Sequence, residues 1–93
     1  MIEYFVEYPP APYFNEVLVN CPQAATVYCR LWNKRDKENW FRIPKKLLSR
    51  EFLLPSDTVN RHFMALCRRG FILDIKENNT TIDVELLGWD DEE

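Results

Sequence analysis

The spacing of apolar residues changes along this chain, and each spacing predicts a different element. Ile2, Tyr4 and Val6 alternate with Glu3, Phe5 and Glu7, which suits a short strand. Pro9, Pro10 and Pro12 follow, and prolines favour an extended, polyproline-like path. In "CPQAATVYCRLWNKRDKE", Ala24, Val27, Tyr28, Leu31 and Trp32 recur at three and four, which makes one helical stripe. Pro22 suits the first turn of that helix. "NWFRIP" is short, aromatic and β-branched, and predicts a small strand. "PKKLLSREFLL" predicts a short second helix that turns Leu47, Leu48 and Phe52 inward and stops before Pro55. "SDTVNRHFMALCRRG" predicts a third helix. Ser56 is its expected N-cap, Val59, Phe63 and Leu66 its inward stripe, and Gly70 its stop. Phe71, Leu73 and Ile75 then alternate, as do Ile82, Val84 and Leu86, with "ENNT" between them. That is the pattern of a β-hairpin.

Composition sets the scale. Ninety-three residues fit one domain. At 46% hydrophobic and 14% aromatic residues the chain is too apolar to remain disordered. No window reaches a transmembrane length and the N-terminus has no signal-peptide pattern, so a cytoplasmic or nucleoid-associated protein is expected, without a membrane partner. The expected division is an aromatic, Pro-rich arm at 1–14, a domain at 15–89 and an acidic tail at 90–93. Tyr4, Phe5, Tyr8, Tyr13 and Phe14 are many aromatics for water to cover. They pack on their own domain or form a partner interface. Cys21, Cys29 and Cys67 form no CxxC pair, which argues for free thiols and against a disulfide framework or a metal site. Trp32, Trp40 and Trp89 read as core or lid residues.

Charge changes the picture because it is uneven. Residues 1–43 are balanced, with five basic and five acidic side chains. Residues 44–72 carry six basic against two acidic side chains, a net +4. Residues 73–93 carry Lys76 against eight acids, a net −7. Arg30, Lys34, Arg35 and Lys37 sit at the end of the first expected helix, where positive charge complements the helix dipole.

The expected order is helix, strand, helix, tight turn, helix, hairpin. This is an α+β arrangement and that of a small winged helix-turn-helix, with three helices, a C-terminal hairpin wing and an aromatic N-terminal arm. "TVNRHFMALCRRGFI" resembles the recognition helix and exit of MarR-like bacterial regulators, with Thr58, Val59, Arg61, Leu66, Arg69, Gly70 and Ile72 at matching positions. The span "YFNEVLVNCPQAATVYCRLW … LLSREFLLPSDTVNRHF" also resembles the helix-turn-helix module of phage and plasmid replication proteins. The resemblance covers roughly Tyr13 to Leu87. Two departures stand out. "KLLSREF" replaces the usual Glu-Leu-Ala of the second helix. The hairpin carries Asp74, Glu77, Asp83 and Glu85, where DNA-binding wings usually carry Lys or Arg to meet phosphate.

The resemblance implies a transcriptional regulator or an accessory replication factor that binds double-stranded DNA. Asn60 and Arg61 would reach base edges, since Asn suits adenine and Arg suits guanine. Lys45, Lys46, Arg50, Thr58 and Arg68 would hold phosphates. A homodimer is expected, because one short helix offers few contacts. The alternative is a winged-helix protein-interaction module, an adaptor or complex subunit, whose acidic wing and tail meet a basic partner while the aromatic arm supplies the apolar anchor. His62 lies beside Val59 and Leu66 at helical spacing and reads as a packing residue. No catalytic motif or glycine-rich phosphate loop is present, so no enzyme activity and no cofactor are expected.

Overall fold

The computed structural model describes residues 11–88, the side chains of residues 11–13 excepted. It is an α+β structure. Helix α1 (Ala11–Asn20) leads through a 3-10 turn (Pro22–Ala24) into α2 (Ala25–Lys34). Strand β1 (Trp40–Pro44) follows, then a 3-10 turn (Lys45–Leu47) and α3 (Leu48–Phe52). Helix α4 (Ser56–Arg68) and strands β2 (Ile72–Glu77) and β3 (Thr81–Leu86) complete the described chain. The antiparallel sheet has the order β1-β3-β2. Among the described residues there are thus four helices, where the apolar spacing led us to expect three.

The additional helix is α1. Pro12 does not open an extended path; it lies in the first turn of α1, where a missing N–H has no partner to lose. Phe14, Val17 and Cys21 then recur at three and four and face the core. Val17 and Cys21 are buried, and Phe14 packs half-buried against them. Phe14 is therefore a core residue of the domain rather than part of an arm. Tyr13 belongs to α1, but its side chain is not among those described. Tyr4, Phe5, Tyr8, the expected strand around them, Trp89 and the acidic tail all lie outside the described residues.

One core joins helices and sheet. Tyr28 and Leu31 of α2, Val59, Phe63 and Leu66 of α4, and Val84 and Leu86 of β3 are almost fully buried. A chain of rings runs across it. Phe41 of β1 meets Phe52 of α3 with centroids 5.7 Å apart. Phe52 in turn meets Phe63 of α4 edge-on, also at 5.7 Å. Such tilted contacts add about 0.5–1.5 kcal/mol each to the burial of the rings. Through Phe63, the position of α4 is tied to both β1 and α3.

The two ends of α4 differ from each other in origin. Ser56 is not the N-cap: Pro55 holds that position in an extended conformation and its carbonyl accepts the N–H of Val59 at 3.0 Å. Ser56 is already helical, and no side chain caps the helix. At the other end, Gly70 has φ of +85°. Its N–H donates to the Cys67 carbonyl and that of Phe71 to the Leu66 carbonyl, at 3.1 and 3.0 Å. This pair of bonds is the Schellman closure that a left-handed residue permits. It turns the chain directly into β2.

Candidate nucleic-acid interface

The pitch of α4 sorts its side chains by angle. Val59, Phe63 and Leu66 point inward and are buried. Asp57, Asn60, Arg61, Met64 and Arg68 fall on the opposite side and are exposed. Thr58, His62 and Ala65 lie on one flank and are half-buried. Of the residues expected to contact DNA, Asn60, Arg61 and Arg68 therefore share the outward face, while Thr58 sits at its margin. Met64 is 49% exposed between the two arginines.

Three grooves border this helix and the sheet. Lys45, Leu48, Ser56, Asn60, Glu77 and Ile82 line one, between the first turns of α4 and the hairpin. Pro44, Lys45, Lys46 and the hairpin residues Asn79, Thr80 and Thr81 line a second. Lys45 is common to both, and its N–H donates to the Thr80 carbonyl at 2.8 Å. Lys45 and Lys46 are thereby placed beside the hairpin tip. Arg68 borders a third groove with His62, Arg69, the end of α1 and the 3-10 turn Pro22–Ala24. Arg50 is placed elsewhere. It lines a hollow with Lys34, Arg42 and Glu51 that contains no α4 residue.

The basic side chains divide by partner. Arg30 and Lys34 both reach Glu51 of α3, at 3.0 and 3.7 Å. Arg35 stacks on the Trp32 ring at 3.9 Å and donates to the Trp32 carbonyl. These residues join α2 to α3 or close the end of α2, in addition to any dipole effect. Arg42 bonds Asp36 at 2.5 Å and lies 3.8 Å from Asp83. Lys45 bonds Glu77 at 2.5 Å. Lys46, Arg50, Arg61, Arg68 and Arg69 form no ion pair with a described residue.

The hairpin acids are not where the sequence alone suggested. Asp74 lies opposite Glu85, and Asp83 lies between Arg42 and Lys76 in the register. All three occupy the sheet face that points away from buried Ile82, Val84 and Leu86. The tip is uncharged. There, Asn78 Oδ1 accepts the N–H groups of Thr80 and Thr81, both at 2.8 Å, and fixes the turn. Trp40, expected as a core or lid residue, is half-exposed on this outer face and so is not a core residue, with Arg42 and Lys76 cations 5.4 and 5.2 Å from its ring. Strand alternation explains the difference: Phe41 and Ile43 take the inward positions, so Trp40 and Arg42 cannot.

The thiols behave as expected of free cysteines. Burial pushes the Cys29 thiol up, which keeps it protonated and unreactive near neutral pH. Among the described residues no helix is long and apolar enough to cross a membrane, and no group of three His, Cys, Asp or Glu side chains could hold a metal ion. No protein family, curated protein or solved structure matches the chain.

Proposed function

We propose that this protein is a winged helix-turn-helix DNA-binding protein, a transcriptional regulator or accessory replication factor, in which α4 enters the major groove. The order α2, β1, α3, α4, β2, β3 is the order of elements expected of that class. The observation that carries the reading is the outward face of α4. It presents Asn60, Arg61 and Arg68 together, and the two arginines have no counter-ion among the described residues. Asn60 and Arg61 act on base edges and Arg68 on phosphate. Lys46, beside the uncharged hairpin tip, gives a second phosphate contact. Arg50, on a different surface, is not part of this set. Two copies of the chain on one site would give the specificity that a single short helix lacks.

The test is a titration of the protein against duplex DNA, random and then selected, over a range of salt. Binding should weaken as salt rises, and Arg61→Ala should cost about 1–3 kcal/mol on a selected site. Equal affinity of Arg61→Ala and wild type for that site removes α4 as the reading element.

A second reading has its own observation. Asp74 and Glu85 face each other across the sheet with no cation partner among the described residues, and Leu73 beside them is 52% exposed. Like charges in direct cross-strand register are unfavourable, and a basic protein partner would relieve them. A protein-interaction winged helix is thus the alternative. It predicts that Asp74→Asn with Glu85→Gln removes a protein contact and leaves DNA affinity unchanged.

A further inference from the structure

Of the four hairpin acids, Glu77 alone lies on the α4 side of the sheet. It stands opposite buried Ile82 in the register, whereas Asp74, Asp83 and Glu85 share the outer face. Being the last residue of β2, it emerges at the groove that Ser56 and Asn60 of α4 also line. Its carboxylate meets Lys45 Nζ at 2.5 Å. Both side chains remain open to water, at 36% exposure for Lys45 and 51% for Glu77. An ion pair so exposed adds little to stability. Its consequence is electrostatic: the groove beside the reading helix holds a lysine whose charge is already cancelled.

We infer that Glu77 sets the sequence-independent affinity of the DNA-binding surface, acting by withholding Lys45 from the phosphate backbone. The inference rests on the DNA-binding reading of α4. Phosphate contacts supply nearly all of non-specific affinity and carry no sequence information. Removing one such contact weakens binding to every sequence alike. The base contacts of Asn60 and Arg61 are untouched, so specific and non-specific affinity fall together and their ratio stays the same.

The experiment uses the full chain and a random-sequence duplex, with binding followed by fluorescence anisotropy over a series of salt concentrations. Wild type, Glu77→Gln, Lys45→Gln, the double variant and Arg61→Ala are compared, and thermal melting shows that each is folded. Glu77→Gln should bind more tightly than wild type, with a salt slope steeper by about 0.9, the value for one added phosphate contact. That slope makes its advantage about 3.5-fold larger at 50 mM than at 200 mM salt. Lys45→Gln should match the wild-type slope, and the double variant should lose the gain. An unchanged slope in Glu77→Gln overturns the inference, as does a gain that survives in the double variant. Either result leaves the α4 reading standing if Arg61→Ala still weakens binding. Failure of both wild type and Glu77→Gln to bind at the lowest salt overturns both.

Discussion

The outward face of α4 and the outer face of the sheet carry similar side chains in opposite states. On the sheet, Arg42 is held by Asp36 and Asp83, and Arg42 and Lys76 both lie against Trp40. On α4, Arg61 and Arg68 are exposed with no counter-ion among the described residues. A cation that is already paired and stacked is expensive to recruit, because a ligand must first replace what it holds. An open cation on a rigid helix costs a ligand less. The difference teaches that local pairing, and not the number of charges, decides which surface is available to an anion. A net charge of −3 for the whole chain says little about either face.

Both faces depend on one core, and the largest effect should come from breaking it. Phe63 is 1% exposed and stands edge-on to Phe52 beneath α4. Phe63→Ala should cost about 3–5 kcal/mol, a large part of what a domain of this size has. Urea unfolding followed by tryptophan fluorescence should show the loss. Because Phe52 also meets Phe41, the sheet should melt in the same transition as the helix. If Trp40 instead reports a sheet that stays folded after α4 has melted, the two faces belong to separable units.

Much of this was legible from residue spacing. The α4 stripe, the Gly70 stop and strand β3 rest on strong local signals: a 3.6-residue period, a residue that accepts positive φ, and strict alternation. In β2 a register shift between Ile72 and Asp74 breaks the expected alternation, burying Ile72 and leaving Leu73 exposed. Helix α1 was masked by its prolines. Pro12 suggested an extended chain, although Phe14, Val17 and Cys21 already carried the helical spacing. The location of Arg50, the side of the sheet chosen by Glu77 and the exposure of Trp40 were not legible. Each depends on which neighbour lies across a strand pair or a helix corner, and one-dimensional periodicity does not contain that. The hairpin acids looked like a single repulsive cluster, and the register separates them into two faces.

A smaller effect should sharpen the contrast without disturbing the core. The α3–α4 turn has the same requirement as the end of α4, but a different residue meets it. Leu53 has φ of +57° and stands 83% exposed, where Gly70 closes α4. The Leu54 N–H donates to the Ser49 carbonyl at 3.3 Å, as Phe71 does to Leu66. A left-handed conformation costs a side chain about 1–2 kcal/mol, and glycine returns part of the gain through its freer unfolded chain. Leu53→Gly should therefore raise stability by up to about 1 kcal/mol, read as a higher Tm. DNA affinity should not change, since the outward face of α4 is untouched. A lower Tm would mean that Leu53 makes a stabilising contact that outweighs its backbone strain.

The smallest effect isolates the closed charges of the sheet. Asp36 begins the turn into β1, and its Oδ1 accepts the N–H groups of Trp40 and Glu38 at 3.0 and 2.8 Å. The Trp40 N–H above all, with that of Glu38 and the Arg42 guanidinium, holds its carboxyl below the ordinary value of 3.8 despite an opposing desolvation. A carboxylate with a depressed folded pKa binds its proton more readily in the unfolded chain. Its contribution is thus complete above the unfolded value and fades as pH falls through the folded one. Asp36→Asn keeps an oxygen that can accept both N–H groups, but removes the charge that Arg42 meets. The variant should melt slightly lower than wild type at pH 7, and the gap should close below pH 3.8, where the wild-type carboxyl gains its proton. Arg61→Ala, melted over the same range, should show no such convergence, because no carboxylate among the described residues pairs with it. Parallel convergence in both variants would place Arg61 in a charge pair and erase the distinction between the open face and the closed one.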